Sequence, residues 1–503
     1  MSLPKVNVNV GEETVVTANS QIPFIPAVLL KTKSGPIGTV ETIQNETQFK
    51  AIFGESDYTT PSAYAIQTYL RSYSFMYVTR LANDSEANYG TGKMTFTKSE
   101  SPIELISAKT DYKTDLFNGK EIKLIYNGVN HKLWLDVSSI TGKSTISIKE
   151  DFTADTADAT TLSAALDKLI TSINSANLGF KLTNLYTNKI SSDDAPQLAD
   201  YNAGFNMFIT EGNSGNSTNL DTTDVKAMID LYDIPDRNID IMVVPEYTNY
   251  EIVNYAVDLA KKNNFVVLTS PNATTVDTLK QAILNYSTDN QGSLAIYYPD
   301  VYYNNFYDNN GNLQAIPASI AVLHAYAKTD NLTKWGAPAG VTRGTLSLVN
   351  SLTVKLSESM LSELYDNTIP VNCINTISGK GFIVWGNKTT NASSEFFDRV
   401  NVSRLIKYVT KQIALISWDY LFEPITIDVF TNWTARVNNL LENIKSGFGL
   451  EAYDVTMDSS VNTPETIAAN QLNGIVKIKP QEVAEFINID FLITDTVSVS
   501  VEE

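Results

Sequence analysis

Apolar and polar positions alternate at both ends of this chain. Val6, Val8 and Val10 interleave with Lys5, Asn7 and Asn9, and Val497, Val499 and Val501 interleave with Thr496, Ser498 and Ser500. A period of two is that of a strand with one buried face. Neither stretch has further strands beside it in sequence with which to build a sheet. Between the ends the texture changes three times. "IPFIPAVLLKTKSGPIGTVETIQNETQFKAIFG" predicts a buried strand, a Gly-Pro turn, a short strand and a helix ending near Gly54. "SAYAIQTYLRSY" is amphipathic and "FMYVTRLA" reads as the strand after it. From Gly90 to about Lys189 short β-like runs such as "KEIKLIYNGVNHKLWLDV" and "STISIKE" are interrupted by one helix, "TLSAALDKLITSIN".

From about residue 200 the pattern is strand, helix, strand. "NIDIMVVPEY" and "NFVVLTSP" are near-continuous apolar runs of the doubly buried kind, and "YEIVNYAVDLAKKN" between them is a helix with Lys261 and Lys262 at its C-terminal end. "DTLKQAILNYS" adds a helix and "SLAIYYPDVYY" a strand, so right-handed crossovers and a largely parallel sheet are expected. The last third offers the helix "LSESMLSELYDNT", the strand "GFIVWG", a long helix from Val402 to about Trp418 and another around "TARVNNLLENIKSGFG". The fold class is therefore mixed α/β and multidomain. The predicted parts are an N-terminal extended arm (1–20), a discontinuous central α/β domain (21–89 and 190–345), an inserted β-rich domain (90–189), an α+β C-terminal domain (346–488) and a C-terminal extended arm (489–503).

Composition narrows the function. A chain of 503 residues is too long for one core, and 43% hydrophobic with 10% aromatic residues is enough to build several. The formal net charge of −19 argues against a direct grip on nucleic acid, which needs clustered lysine and arginine. One cysteine, Cys373, rules out an intramolecular disulfide framework and a cysteine-rich metal site. The opening "MSLPKVNVNVGEETVV" lacks the apolar segment of a signal peptide, and no run approaches the roughly 18 apolar residues of a membrane span. Asn-X-Ser/Thr triplets at Asn45, Asn272 and Asn432 are thus expected to go unused. Synthesis in a reducing cytosol is expected.

Candidate chemistry is thin. His131 lies beside an Asn127-Gly128 hairpin turn and His324 in an apolar run, which suits a surface and a packed histidine better than a dyad. "TGKST" (141–145) lacks the glycine a phosphate loop needs five residues before Gly142, where Val137 stands. "DNNGN" (308–312) alternates Asp308, Asn310 and Asn312 in the manner of a calcium loop, but Leu313 occupies the glycine position and a turn is expected. Asp193 and Asp194 sit in polar loop sequence and are expected to be solvated. "GKGFIVWGNKT" (379–389) is the most tempting stretch, with its glycines and a Lys-Thr pair. Its glycines precede an apolar strand rather than a helix N-terminus, so framework is the better reading, with Trp385 burying a large apolar area and Gly386 ending the strand. No catalytic, cofactor-binding or metal residues are assigned.

Six segments in order nevertheless carry a family resemblance. These are "GPIGTVETIQNETQFKAIFG", "IYYPDVYY", "IPASIAVLHAYAKTDNLTKWGAPAG", "GKGFIVWGNKT", "RVNVSRLIKYV" and "LNGIVKIKPQEVAEFINIDF". Together they resemble the contractile tail sheath proteins of bacteriophages and related injection machines, over about residues 25 to 495. Lys388 stands where that family has arginine, and Gly340 where asparagine is expected. The resemblance implies a non-enzymatic structural protein without cofactors. Its subunits would stack as six-start helical rings around a tail tube, in a metastable extended state that contracts to drive the tube through a host envelope. It implies as partners further copies of the chain, the tail tube protein, and baseplate and tail terminator proteins, with no nucleic acid and no membrane insertion. It places the protein in the virion after assembly in the host cytoplasm. The terminal arms, carried by Val6, Val8, Val10, Val497, Val499 and Val501, would complete sheets in neighbouring subunits. The inserted domain is expected to face outward and the C-terminal domain inward.

On the long helix from Val402, the residues Val402, Leu405, Ile406, Val409, Ile413 and Ile416 fall within one arc, with Arg404, Lys407 and Lys411 nearly opposite. A tube-facing basic stripe is expected there, against an ordinary solvated helix face as the alternative. Three further readings stay open: the sheath of a headless bacteriocin-like or secretion-type machine, an adhesin or surface-layer protein, which would need a signal peptide, and a nucleotide-dependent α/β enzyme, whose strand ends would need a glycine loop.

Overall fold

The computed structural model describes residues 24–97, 102–127, 132–141, 150–151, 159–186, 205–216, 220–234, 237–391 and 396–485. His131, the Gly142–Thr145 part of "TGKST", Asp193 and Asp194, and the arm residues Val6, Val8, Val10, Val497, Val499 and Val501 lie outside them. The chain divides into two compact units, residues 21–408 and, within the described residues, 409–485.

The larger unit is built on an eight-stranded sheet. Across it run Gly381–Trp385, Asn372–Ile377, Leu294–Tyr298, Val266–Thr269, Ile241–Val243, Pro26–Leu30, Met76–Arg80 and Val40–Ile43. The six inner strands are parallel and the two outer ones antiparallel, with Val28 beside both Val243 and Val78. Helices cover both faces, which is why "PAVLL" is apolar at every position. Val28 and Leu30 enter one core, Ala27 and Leu29 the other, and all four are fully buried. The crossover helix Tyr250–Asn263 begins where the Asn249 side chain accepts the Ile252 N–H at 3.0 Å. It ends with Lys261 and Lys262 in its last turn and Asn264 in the left-handed conformation, φ 56°.

The sheet does not stop at residue 345. Asn372–Ile377 pairs in parallel with Leu294–Tyr298, and Gly381–Trp385 closes that edge. The expected boundary at 346 therefore cuts a continuous sheet. The sequence signal failed because these two strands reach the sheet only after a long excursion through the Val349–Leu352 strand and the Glu358–Tyr365 helix.

Between Arg80 and the strand at Ile241 the chain leaves the sheet and builds a module with its own core. Tyr89–Thr97, Pro102–Lys113 and Phe180–Asn184 form one small sheet. Phe205–Phe208, Glu121–Asn127, Lys132–Asp136 and Glu150–Asp151 form another. Leu162, Leu166, Leu169 and Ile173 of the Ala159–Ser175 helix pack into the shared core. Phe205, Met207 and Ile209 also lie in it, and Phe205–Phe208 pairs with Glu121–Asn127. The module thus runs past the expected end at 189. The intervening polar sequence hid that last strand.

The junction is tied by backbone and side-chain hydrogen bonds, among them Thr114 Oγ1 donating to the Lys33 carbonyl at 2.7 Å. Asn88 and Asn213 exchange backbone hydrogen bonds at 2.9 and 3.0 Å where the chain leaves and returns. Arg80 is fully buried and donates to the carbonyls of Gly35 at 2.6 Å, Lys113 at 2.9 Å and Ser214 at 2.5 Å. Burial brings its guanidinium down to about 10, against the Asp115 and Asp84 carboxylates, which favour the charged form. Excision of 95–185, inside the expected domain of 90–189, would strand Phe205, Met207 and Ile209 without their core. Replacing 89–212 with a short Gly-Ser linker should instead leave a soluble chain that melts cooperatively, whereas the 95–185 replacement should aggregate. Calorimetry and solubility of the two deletions check this, and equal behaviour would count against the module as an autonomous core.

Candidate functional site

The tempting glycine segment is a hairpin. Asn372–Ile377 and Gly381–Trp385 pair antiparallel, and the turn between them needs left-handed backbone at Gly379 (φ 74°) and Gly381 (φ 82°). Gly386 is required by space: a Cβ there would lie 2.7 Å from Asn372 Oδ1 and 2.9 Å from its Cα. That approach lets the Asn372 amide accept the Lys388 N–H at 2.7 Å and donate to the Lys388 carbonyl at 2.7 Å. Lys388 Nζ donates to the Tyr365 carbonyl at 2.9 Å and sits 4.2 Å over the Tyr365 ring, so the lysine pins the end of a neighbouring helix. The glycines, Lys388 and the partner Asn372 are thus spent on structure. Trp385, however, departs from expectation. It is 48% exposed, because Ile383 and Val384 take the buried places and, among the described residues, the outer edge of this strand is met only by a short bridge from residues 344–346, with the Val384 N–H donating to the Gly344 carbonyl at 2.8 Å.

The remaining candidates within the described residues, Asp308 and His324, are likewise framework. Asp308 Oδ1 accepts the Asn310 and Asn312 N–H groups at 2.8 Å each and Oδ2 accepts the Asn312 side chain at 3.0 Å, so the carboxylate closes its own turn. No cluster of three or more histidine, cysteine or acidic side chains suited to a metal occurs among the described residues. None of the described helices is long and apolar enough to cross a membrane. His324 packs edge-on against Tyr69 and Tyr73, and burial holds its imidazole down to about 4.

Asp300 follows the Leu294–Tyr298 strand and caps the next helix by accepting the Ala318 N–H at 2.8 Å. Burial pushes its carboxyl up to about 7 against the Ala318 amide and Ser270 hydroxyl, which favour the charged form. The folded value lies above the unfolded one, so this group removes stability as pH rises from about 4 to about 7. Asp300→Asn should match the parent near pH 4 and melt higher above pH 7. Thermal melts across that range check it, and a variant less stable at pH 8 would show that the cap needs the charge.

The expected basic stripe is not a surface. On the Val400–Trp418 helix, Arg404 and Lys407 are buried and Lys411 is half-buried. The first half of this helix lies against the N-terminal ends of the parallel strands. Ser403 Oγ donates to the Gly292 carbonyl at 2.8 Å and Lys407 Nζ to Ser293 Oγ at 2.8 Å. Arg404 Nη2 donates to Asp330 Oδ1 at 2.5 Å, with the guanidinium 5.0 Å from the Tyr326 ring. Lys334 Nζ lies 2.9 Å from the second Asp330 oxygen and 3.6 Å from Asp240, which accepts the Ile25 N–H at 3.0 Å. The helical period correctly places the apolar arc, where Leu405, Ile406, Val409, Ile413 and Ile416 are buried. It carries no information on whether the polar arc meets water or a buried acid.

A small sheet with open edges lies in residues 409–485. The Ile427–Ser446 helix starts at Thr426, which accepts the Val429 N–H at 3.4 Å, and buries Trp433, Val437, Leu440, Leu441 and Ile444. Over this face lies a two-stranded antiparallel sheet of Leu450–Thr456 and Ile475–Pro480. Gly474 admits the Trp433 indole, which a Cβ would meet at 2.8 Å. Among the described residues neither outer edge of this sheet has a partner strand. Two strands on one helix are a marginal sheet with two rows of unpaired backbone groups. Phe422, Ile427 and Phe448 also stand 86%, 78% and 82% exposed, an apolar excess for an isolated surface. Sequence periodicity found the helix but gave no sign that an open two-stranded sheet would lie on it.

No protein-family model matches the sequence. The chain is similar to the tail sheath protein of Vibrio phage KVP40, 31% identical over 193 residues, which is 38% of this chain and 28% of that protein. It is similar to the tail sheath protein of Enterobacteria phage T4, 28% identical over 182 residues, 36% of this chain and 27% of that one. These matches span less than a third of the relatives' length. Among solved structures, a sheath tail protein from Desulfitobacterium hafniense aligns with a TM-score of 0.57 at 12% identity, covering 91% of this chain and 94% of that one. The contracted PVC sheath of an extracellular contractile injection system aligns at 0.55 and 14% identity, covering 98% of both chains. The multidomain α/β fold is that of contractile sheath proteins.

Proposed function

We propose that the chain is a sheath subunit that polymerises around a tail tube and contracts. The observation that carries this is the open two-stranded sheet of residues 409–485, set beside two terminal stretches that alternate as strands and have no sheet of their own in sequence. Strand addition satisfies both at once: a neighbour's arm pairs with an exposed edge through main-chain hydrogen bonds. Such bonds survive rotation of the bodies they join, because the arms connect through linkers. Similarity to phage tail sheath proteins over about a third of the chain supports the same reading.

Contraction in this scheme repacks rigid bodies and buries further surface, with no nucleotide consumed and no catalysis assigned. The partners are further copies of the chain, the tail tube, and the baseplate and terminator at the two ends. The particle forms in the host cytoplasm and the protein resides in the virion. The β-rich module faces outward. The test is negative-stain microscopy of the purified full-length chain at high concentration. Hollow cylinders or helical tubes are expected, and a uniform population of discrete globules would overturn the proposal.

A further inference from the structure

The buried charges around Arg404 leave one donor unanswered. Arg404 Nη2 is taken by Asp330 at 2.5 Å, but Nη1 is buried with no hydrogen-bond partner among the described residues. The arginine side chain is only 5% exposed, so water at the protein surface does not reach it freely. A buried guanidinium N–H without an acceptor is costly, and such a group points to an occupant that the chain itself does not supply. A small cavity lies beside it, lined by Arg404, Lys334, Lys407, Tyr408, Asp240 and Asn264. It has room for little more than one water-sized body. The lining is not sealed. Asp240 and Lys334 side chains are 16% and 14% exposed, which gives a small ion access.

We propose that this cavity binds a single halide ion, chloride under ordinary conditions, with Arg404 Nη1 as its principal donor. Size and charge together select the occupant. Asp330 already accepts from Arg404 and lies 2.9 Å from Lys334 Nζ, and Asp240 accepts the Ile25 N–H at 3.0 Å and lies 3.6 Å from Lys334. Neither carboxylate hydrogen-bonds Nη1. Burial, with Asp240 and Asp330 nearby, raises the Tyr408 phenol, so it stays neutral and adds no negative charge. The described cluster thus sets three cations, Lys334, Arg404 and Lys407, against two carboxylates, Asp240 and Asp330. A bound cation would add to that surplus, and a carboxylate or phosphate group needs more room than the cavity has. Water fits the space but leaves the surplus charge in a site of low dielectric, whereas a halide cancels it. The site lies where the Val400–Trp418 helix is fastened to the sheet, Lys407 Nζ donating to Ser293 Oγ at 2.8 Å just beyond it. Halide occupancy would therefore add to the hold of that helix on the subunit, independently of how subunits join.

An ion that binds only the folded chain raises its stability with the logarithm of ion concentration once the site fills. Sodium chloride exchanged for sodium gluconate at one ionic strength isolates that effect, because screening acts alike in both and gluconate is too large for the cavity. Thermal melts of the full-length chain should rise by several degrees as chloride replaces gluconate. The chloride NMR signal should broaden in the presence of the folded chain and sharpen when bromide is added to compete. Arg404→Lys keeps one charge for Asp330 and removes the second nitrogen, so both responses should be lost. Should that variant not fold, Lys407→Gln takes its place, and half-maximal broadening should then need at least tenfold more chloride. A parent chain indifferent to chloride by both measurements overturns the proposal and leaves the cavity to water. Responses of parental strength in the folded variant overturn it as well, since the ion would then sit elsewhere on the molecule.

Discussion

Deleting residues 490–503, or residues 1–16, should abolish polymerisation and leave a monomer that melts close to the parent. The cores of the larger unit draw on residues from Phe24 to Val400, and the helix and open sheet of the smaller one lie within 409–485. No described contact is therefore lost with either arm. What is lost is the strand supplied to a neighbour. A five- or six-residue strand adds about five backbone hydrogen bonds, each contributing on the order of 1 kcal/mol net. That is a few kcal/mol per link, repeated at every subunit, and a polymer without it has only its rigid-body contacts. Sedimentation and microscopy should report monomers at concentrations where the parent forms tubes, with melting within a few degrees of it. Sheath-like cylinders from either truncated chain would remove donated strands as the link. A truncated chain that is molten would show instead that the arms belong to the subunit's own fold.

Much of the fold was legible because its strands and helices each satisfy one local rule. "PAVLL" and "IMVV" are apolar throughout because helices cover both sheet faces, and Asn249 and Thr275 cap the helices they precede. The failures share a cause. Strand Asn372–Ile377, strand Phe205–Phe208 and the Arg404 stripe all owe their places to residues distant in sequence. Partners 74 or more residues away leave no periodic trace, so the boundaries at 189 and 346 fell at changes of texture instead. Trp385 illustrates the limit in a single residue. An apolar run gives the strand, but not that the strand lies at the sheet's edge with its indole half in solvent.

Arg404→Met should destabilise the monomer by about 3 kcal/mol or more, the range for removing one partner of a buried ion pair. The side chains of Arg404 and Asp330 are 5% and 2% exposed. Loss of the guanidinium leaves Asp330 beside Lys334 alone, and Lys334 is itself shared with Asp240. Met fills similar volume, so the loss is chiefly electrostatic rather than a cavity. Asp330→Asn should be costly for the mirror reason, since it leaves a cation buried beside the Tyr326 and Phe24 rings. Together the two changes should cost less than their sum, with a coupling of about 1–3 kcal/mol. A surface stripe makes the opposite forecast: single changes below about 1 kcal/mol, near additivity, and an effect that fades with salt. Chemical denaturation of the four variants of an arm-deleted chain, at low and high salt, separates the two. A large, salt-insensitive coupling means that Arg404 fastens the start of the Val400–Trp418 helix to the sheet. Additive, salt-screened changes would return Arg404 and Lys407 to the tube-facing role that their spacing first suggested.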